Sequence, residues 1–267
     1  MKRIVIVTGA TSGVGREFVR QLDEALHGQV DEIWAVARNA GELAQLADET
    51  LTPVRAFGLD LTSSGAVSEL EAALAAENAA LGIYVSWLVN SAGTGWFGTY
   101  QDMDGNRVRR MVELNCLALA DITSAALPYM GPDSHIVNMA SVAAYLPLPG
   151  MALYGATKRF VLDLTRGLNE DLRGTGITAT AVCPKAMKTA FWDEAGTDSA
   201  KSMGFFFGCE NVCDVVRKAV RAAAMGRGKV VTSPDMKLAC AAFKILPYGV
   251  TCAATKAALA ARKKLAR

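Results

Sequence analysis

The sequence predicts one α/β domain built on a doubly wound parallel sheet of about seven strands. Three observations predict it. Short β-branched runs alternate with longer stretches of helical periodicity along most of the chain. A glycine-rich turn joins the first run to the first helical stretch. Of 267 residues, 51% are hydrophobic and 20% charged, enough apolar surface to cover both faces of a sheet.

Ile4-Val5-Ile6-Val7 opens the chain as a strand, 4–8, and a helix at 16–26 follows. There Val14, Phe18, Leu22 and Leu26 recur every fourth residue and form one apolar stripe. Further strands are expected at 33–37, 54–59, 87–90, 136–140, 178–183 and 230–232, each a short apolar run. Helices at 41–49, 64–77, 106–126, 153–172 and 211–225 separate them, so the strands run parallel through right-handed crossovers. Internal repeats and low-complexity tracts are absent, and the breaks at 147–150 and 204–208 are too short for domain linkers. Residues 1–235 form the dinucleotide-binding and catalytic domain, and 236–267 an apolar and basic extension of it.

The bulk numbers exclude several functions. A net charge of +2 gives no electrostatic case for a nucleic-acid surface. Six cysteines without a CxxC pair, and only two histidines, supply no metal site. The apolar run after Met1-Lys2-Arg3 is only four residues long, too short for an export signal, so a cytoplasmic protein with reduced thiols is expected.

The first strand runs into Thr8-Gly9-Ala10-Thr11-Ser12-Gly13-Val14-Gly15, then a helix. Glycines at 9, 13 and 15 let the backbone turn sharply and approach a diphosphate, which the helix N-terminus attracts. Strand, glycine loop and helix in that order signal a Rossmann dinucleotide site. A carboxylate ending the second strand would hydrogen-bond the adenosine ribose and repel a 2′-phosphate. Here Ala37 stands there, followed by Arg38 and Asn39, which favours NADP; otherwise Arg38 is an ordinary surface arginine. Asp60, followed by Leu61, closes the third strand, where its carboxylate meets an adenine amino group or caps a helix.

Tyr154 and Lys158 lie four residues apart, one turn along one helix face. A free tyrosine has a pKa near ~10, and a neighbouring ammonium is expected to lower it. Ser141 follows the fifth strand, at the carboxyl edge where open α/β sheets bind ligands. Its hydroxyl can hold a substrate oxygen while Tyr154 supplies or takes the proton.

Together these motifs resemble the short-chain dehydrogenase/reductase family, in order and spacing, over residues 4–235. The resemblance rests on the loop at 8–15, Asp60, Asn90-Ser91-Ala92-Gly93, Asn115, Ser141, Tyr154 with Lys158, and the turn from Pro184 to Thr189. It implies a nicotinamide coenzyme. Lys158 would bind the nicotinamide ribose, and Asn115 would hold a water in a proton relay to it. Asn90 and Ala92, within the turn that includes Ser91 and Gly93, would line the adenosine ribose. Pro184, Met187 and Thr189 would flank the nicotinamide. Arg38 is similar to its counterpart in NADP-preferring members, and the helices bearing Asn115 and Tyr154 imply a homodimer or homotetramer. Two positions depart from the family pattern: Ser91 replaces a common asparagine, and Lys185 replaces the glycine usual after Pro184, which would place an ammonium near the substrate mouth.

Substrate contacts are expected from Trp96, Tyr145, Met151 and the segment 190–208, with Phe191, Trp192 and Phe205-Phe206-Phe207. Those aromatics either cover an apolar ligand as a lid or pack on the core. The stretch 236–256 falls short of the ~20 apolar residues needed to span a bilayer. With its basic tail it packs on its own domain, on a second subunit, or less readily on an anionic membrane. Three functions follow: an NADP(H)-dependent carbonyl reductase or alcohol dehydrogenase of an apolar, steroid- or lipid-like molecule; a 3-oxoacyl-thioester reductase; or a catalytically silent nucleotide sensor.

Overall fold

In the computed structural model, residues 1–146, 148–187, 189, 191 and 208–265 are described, with side chains described except at 244, 248 and 258–265. Seven parallel strands form one sheet: β1 (Lys2–Thr8), β2 (Glu32–Ala37), β3 (Val54–Gly58), β4 (Ile83–Asn90), β5 (His135–Met139), β6 (Thr178–Cys183) and β7 (Lys229–Val231). Their spatial order is β3-β2-β1-β4-β5-β6-β7. The order reverses between β1 and β4, so the crevice beyond their carboxyl ends is the natural ligand site. The expected doubly wound Rossmann architecture is present.

Strand parity builds two cores. Val5 and Val7 of β1 face α1 (Gly13–Ala25) and α7 (Val212–Ala224), among Phe18, Leu22, Val215 and Val216. Ile4 and Ile6 point to the opposite layer with Leu70 and Leu74 of α3 (Ala66–Leu81) and Ile122 of α5 (Ala118–Ala126). A third cluster joins Met111 of α4 (Gly105–Val112), Val161 of α6 (Ala152–Asp171) and Met236 of α8 (Pro234–Ile245) over the β6–β7 end of the sheet. Helix α2 (Ala40–Glu49) completes the β2–β3 crossover, and α9 (Tyr248–Leu265) follows α8.

Helix α3 runs to Leu81 rather than 77 and α1 starts at Gly13 rather than 16, and two further differences bear on the site. The fourth strand begins at Ile83 rather than 87: Ile83, Tyr84 and Val85 pair with Lys2, Arg3 and Ile4 of β1, and buried Ser86, skipped where the register shifts, donates to the Ile4 carbonyl. The helix expected at 106–126 is interrupted by a π-helical turn, Glu113–Leu117, between α4 and α5. The run Gly105–Tyr129 is long and apolar enough to cross a membrane by composition, yet half of it is buried as a core helix.

Candidate active site

The β1–α1 turn needs its glycines for space. Gly9 adopts φ +65°, and a Cβ there would sit 3.0 Å from the Ala92 backbone. A Cβ on Gly15 would lie 2.1 Å from the Gly9 carbonyl oxygen. A side chain at Gly9 would push the loop off the turn after β4, and one at Gly15 would push the start of α1 away from Gly9. Thr8 locks the other side: its hydroxyl accepts from the backbone N–H of Ser91 and of Ala92, each at 3.1 Å. Ser91, the departure from the family's asparagine, donates its hydroxyl to the Thr8 carbonyl, so the turn is kept.

One cavity of about 610 Å³ runs from this loop to the helix carrying Tyr154. At the loop end it is lined by Gly9, Thr11, Ser12, Gly13, Val14, Gly15, Arg38, Asn39, Asp60 and Leu61. Its centre is lined by Ser91, Ala92 and Gly93, and the far end by Ser141, Met151, Tyr154, Lys158, Pro184, Met187, Thr189 and Phe191. Most of the residues singled out by motif, dispersed across 183 positions of chain, thus converge on one cleft. Of the other positions named from sequence, Trp192, Phe205, Phe206 and Phe207 lie outside the described residues.

Four named residues do not line it. Asn90 is buried, and its amide donates to Thr123 and Asn138, bridging β4 to α5 and β5. Its parity with Leu88 turns it into the second core layer rather than toward the cleft. The Trp96 ring lies against Gly98, 2.1 Å from where a Cβ would be, with the Arg107 guanidinium 5.9 Å from its centroid. Tyr145 lies under Lys229 at 5.9 Å and beside Cys183, away from the cleft. Asn115 is buried in the π-helical turn. It accepts from the Thr94 N–H (2.9 Å) and donates to the Thr94 carbonyl (2.8 Å) and the Thr157 hydroxyl (3.1 Å). It therefore clamps the segment after β4 onto the Tyr154 helix.

The loop end carries a charge the sequence reading missed. Arg110 of α4 lines the cavity 3.6 Å from Asp60, and Glu42 lines it as well. Arg110 and Leu114, four apart, share the helix face that meets the cleft. Burial pushes the Asp60 carboxyl up, but hydrogen bonds from Thr62 and the charges of Arg110 and Arg38 outweigh it and hold it below the usual range. Asn39 is fixed by capping α2, accepting from Gly41 and Glu42.

At the other end, Ser141 accepts from the Ala143 N–H (3.1 Å). Lys158 donates to the Met139 carbonyl (2.8 Å), and its ammonium is 5.7 Å from the Tyr154 ring centroid. A Cβ on Gly93 would lie 3.4 Å from that ammonium, so this glycine admits it to the cleft. Phe191 packs on Tyr154, ring centroids 5.7 Å apart. The expected lowering of the Tyr154 pKa is corrected: burial dominates and pushes the phenol up to about 12, opposed by a hydrogen bond with Ser141. Burial also pulls Lys158 down to about 8. The pair is thereby tuned to a neutral phenol, the acid form, beside an ammonium still charged at neutral pH.

Lys185 also lines the cavity, as its place after Pro184 implied. It pairs with Asp235 at 3.1 Å, tying the turn after β6 to the start of α8.

The residues fit a nicotinamide dinucleotide: a cradle that a Cβ would fill at one end, an acid and a cation at the other, one continuous cavity between. Comparison with known proteins agrees. A model of the family described as short chain dehydrogenase matches residues 3–200. Sulfoacetaldehyde reductase 2 of Chromohalobacter salexigens is 34% identical over 215 residues, covering 74% of this chain and 81% of that protein. A short-chain dehydrogenase from Sphingobium yanoikuyae, solved with NADPH, is 29% identical with a TM-score of 0.73 and covers 90% of each chain. A Burkholderia phymatum short-chain dehydrogenase/reductase, solved with NAD, has the same fold: TM-score 0.77, 24% identity, covering 90% of this chain and 92% of that one.

Proposed function

The chain belongs to the short-chain dehydrogenase family, and we propose that within it the protein is an NADP(H)-dependent reductase of apolar ketones, working reversibly on the matching alcohols. The observation that carries the reading is a single cavity with Arg38 at its coenzyme end and Ser141, Tyr154 and Lys158 beside an apolar wall of Leu148, Met151 and Phe191. The similar structures hold NADPH in one case and NAD in the other, so the coenzyme preference rests on Arg38. A guanidinium follows the position where a carboxylate would repel a 2′-phosphate.

A nicotinamide coenzyme, when bound, supplies the hydride to the carbonyl carbon. The chain supplies the rest. The Ser141 hydroxyl holds the carbonyl oxygen, and the Tyr154 hydroxyl gives its proton to that oxygen as the alkoxide forms. The resulting phenolate is stabilised by the Lys158 ammonium, which the Met139 carbonyl orients. In the oxidative direction the same proton returns to Tyr154. Asn115 acts through others here: by clamping Thr94 and Thr157 it positions the helix that carries the acid.

The sulfoacetaldehyde reductase is named for a sulfonated aldehyde, whereas here the wall near Tyr154 is apolar and Lys185 is neutralised by Asp235. That favours an uncharged substrate. Exposed Val112, Leu117 and Phe160, on the helices flanking Asn115 and Tyr154, support association of these faces in a homodimer or homotetramer. The test is steady-state turnover of bulky ketones, small polar ketones, a sulfonated aldehyde and a 3-oxoacyl thioester, with NADPH and NADH. Bulky neutral ketones with NADPH should give the highest kcat/KM; preference for the anionic aldehyde or for NADH would overturn the reading. Tyr154→Phe should lower turnover by roughly 10²–10⁴-fold.

A further inference from the structure

The last two helices are apolar on the wrong side. In α8, Met236 and Cys240 face the domain, as a packed helix requires. The opposite face should be polar. Instead Leu238 and Ile245 are 77% and 85% exposed, with exposed Ala241 and Ala242 between them on the same stripe. Leu246 and Val250, at the Pro247 corner, extend the row into α9. In α9 the order is inverted: Thr251 and Thr255 are buried, while Val250, Ala253 and Ala254 face outward.

Charge singles out the same segment. Residues 236–267 carry seven lysines and arginines and no aspartate or glutamate, against +2 for the whole chain, which leaves −5 on residues 1–235. Lys237 and Lys256 are exposed at either end of the apolar row, and the sequence continues through Arg262-Lys263-Lys264. We propose that the outer face of α8 and the α8–α9 corner dock on an anionic lipid surface. A row of bulky aliphatics at a helix corner, rimmed by cations, suits a deformable layer whose acyl chains receive the leucines and whose headgroups meet the lysines. Asp235, in the first turn of α8, pairs with Lys185 on the cavity wall, so this surface adjoins the mouth of the cleft. The docking itself depends on no reading of the reaction.

The experiment is co-sedimentation of the full chain with vesicles of phosphatidylcholine alone and of phosphatidylcholine with one quarter phosphatidylglycerol. Binding should require the anionic lipid and weaken as salt shortens the screening length. Leu238→Glu/Ile245→Glu should weaken binding roughly tenfold or more, since each side chain loses its apolar burial. Lys237→Gln/Lys256→Gln, which leaves the apolar row intact, should do so by about tenfold or more through charge alone. Both variants should keep the parent's circular dichroism and unfolding midpoint. Absence of binding to anionic vesicles at low salt, equal binding to both vesicles, or undiminished binding of the Leu238→Glu/Ile245→Glu protein would overturn the proposal. A parent that ignores vesicles but is larger by light scattering than the Leu238→Glu/Ile245→Glu protein would overturn it too, by assigning the face to a second copy of the chain.

Discussion

The pH dependence of ketone reduction tests how burial tunes the acid and its partner. Lys158 is buried, donates to the Met139 carbonyl and is pulled to about 8, while Tyr154 is pushed to about 12. The signs are opposite in charge but alike in effect, since each shift favours the neutral form. Neutral pH lies below both values, so Lys158 is an ammonium and Tyr154 a phenol, the combination that the proposed reduction needs. As pH rises through about 8 the ammonium is lost while the phenol remains, so the phenolate formed in the transition state loses its cation. Reductive kcat/KM should therefore be level below neutrality and fall above about pH 8, approaching tenfold per unit. Lys158→Met, with no ammonium to titrate, should be slow and lack that limb. The assay is initial-rate ketone reduction at constant ionic strength across the neutral and alkaline range. A parent profile level to about pH 10, or a limb retained in Lys158→Met, would refute the assignment.

Other expectations follow from single contacts. On the proposed NADP(H) preference, Arg38→Ala removes a charge-assisted hydrogen bond to the 2′-phosphate worth ~1.5–3 kcal/mol, so NADPH should bind roughly tenfold to a hundredfold more weakly with NADH little changed, as read by fluorescence titration. Equal losses for both would make Arg38 a structural residue. Phe191→Ala opens the wall over Tyr154 and should raise KM for bulky ketones by about tenfold or more, leaving small ones nearly unaffected. Gly15→Ala pushes a methyl toward the Gly9 carbonyl, so the loop must open; both coenzymes should weaken together in titration, unlike Arg38→Ala.

What the sequence carried by itself was local. The β1 run followed by glycines 9, 13 and 15 defines strand, turn and helix within a few residues, and the i,i+4 spacing of Tyr154 and Lys158 sets them on one helix face wherever that helix goes. Ser141 was legible for the same reason, because a residue after a parallel strand lies at the carboxyl edge. Strand parity could have placed Asn90 as well: it shares a face with Leu88 and so belongs to the core beneath the cleft.

Only the tertiary structure decided which distant groups meet. Arg110 reaches Asp60 across fifty positions, and Lys185 finds Asp235 across another fifty, pairings that no periodicity encodes. Tyr145 and Trp96 are aromatic and near the motifs in sequence, yet packing against Cys183 and Gly98 took them from the cavity. The titration of Tyr154 was decided there too. Spacing supplies the neighbouring cation, but the depth of burial is set by elements from all along the chain, and here desolvation outweighs the one opposing contact, the hydrogen bond with Ser141.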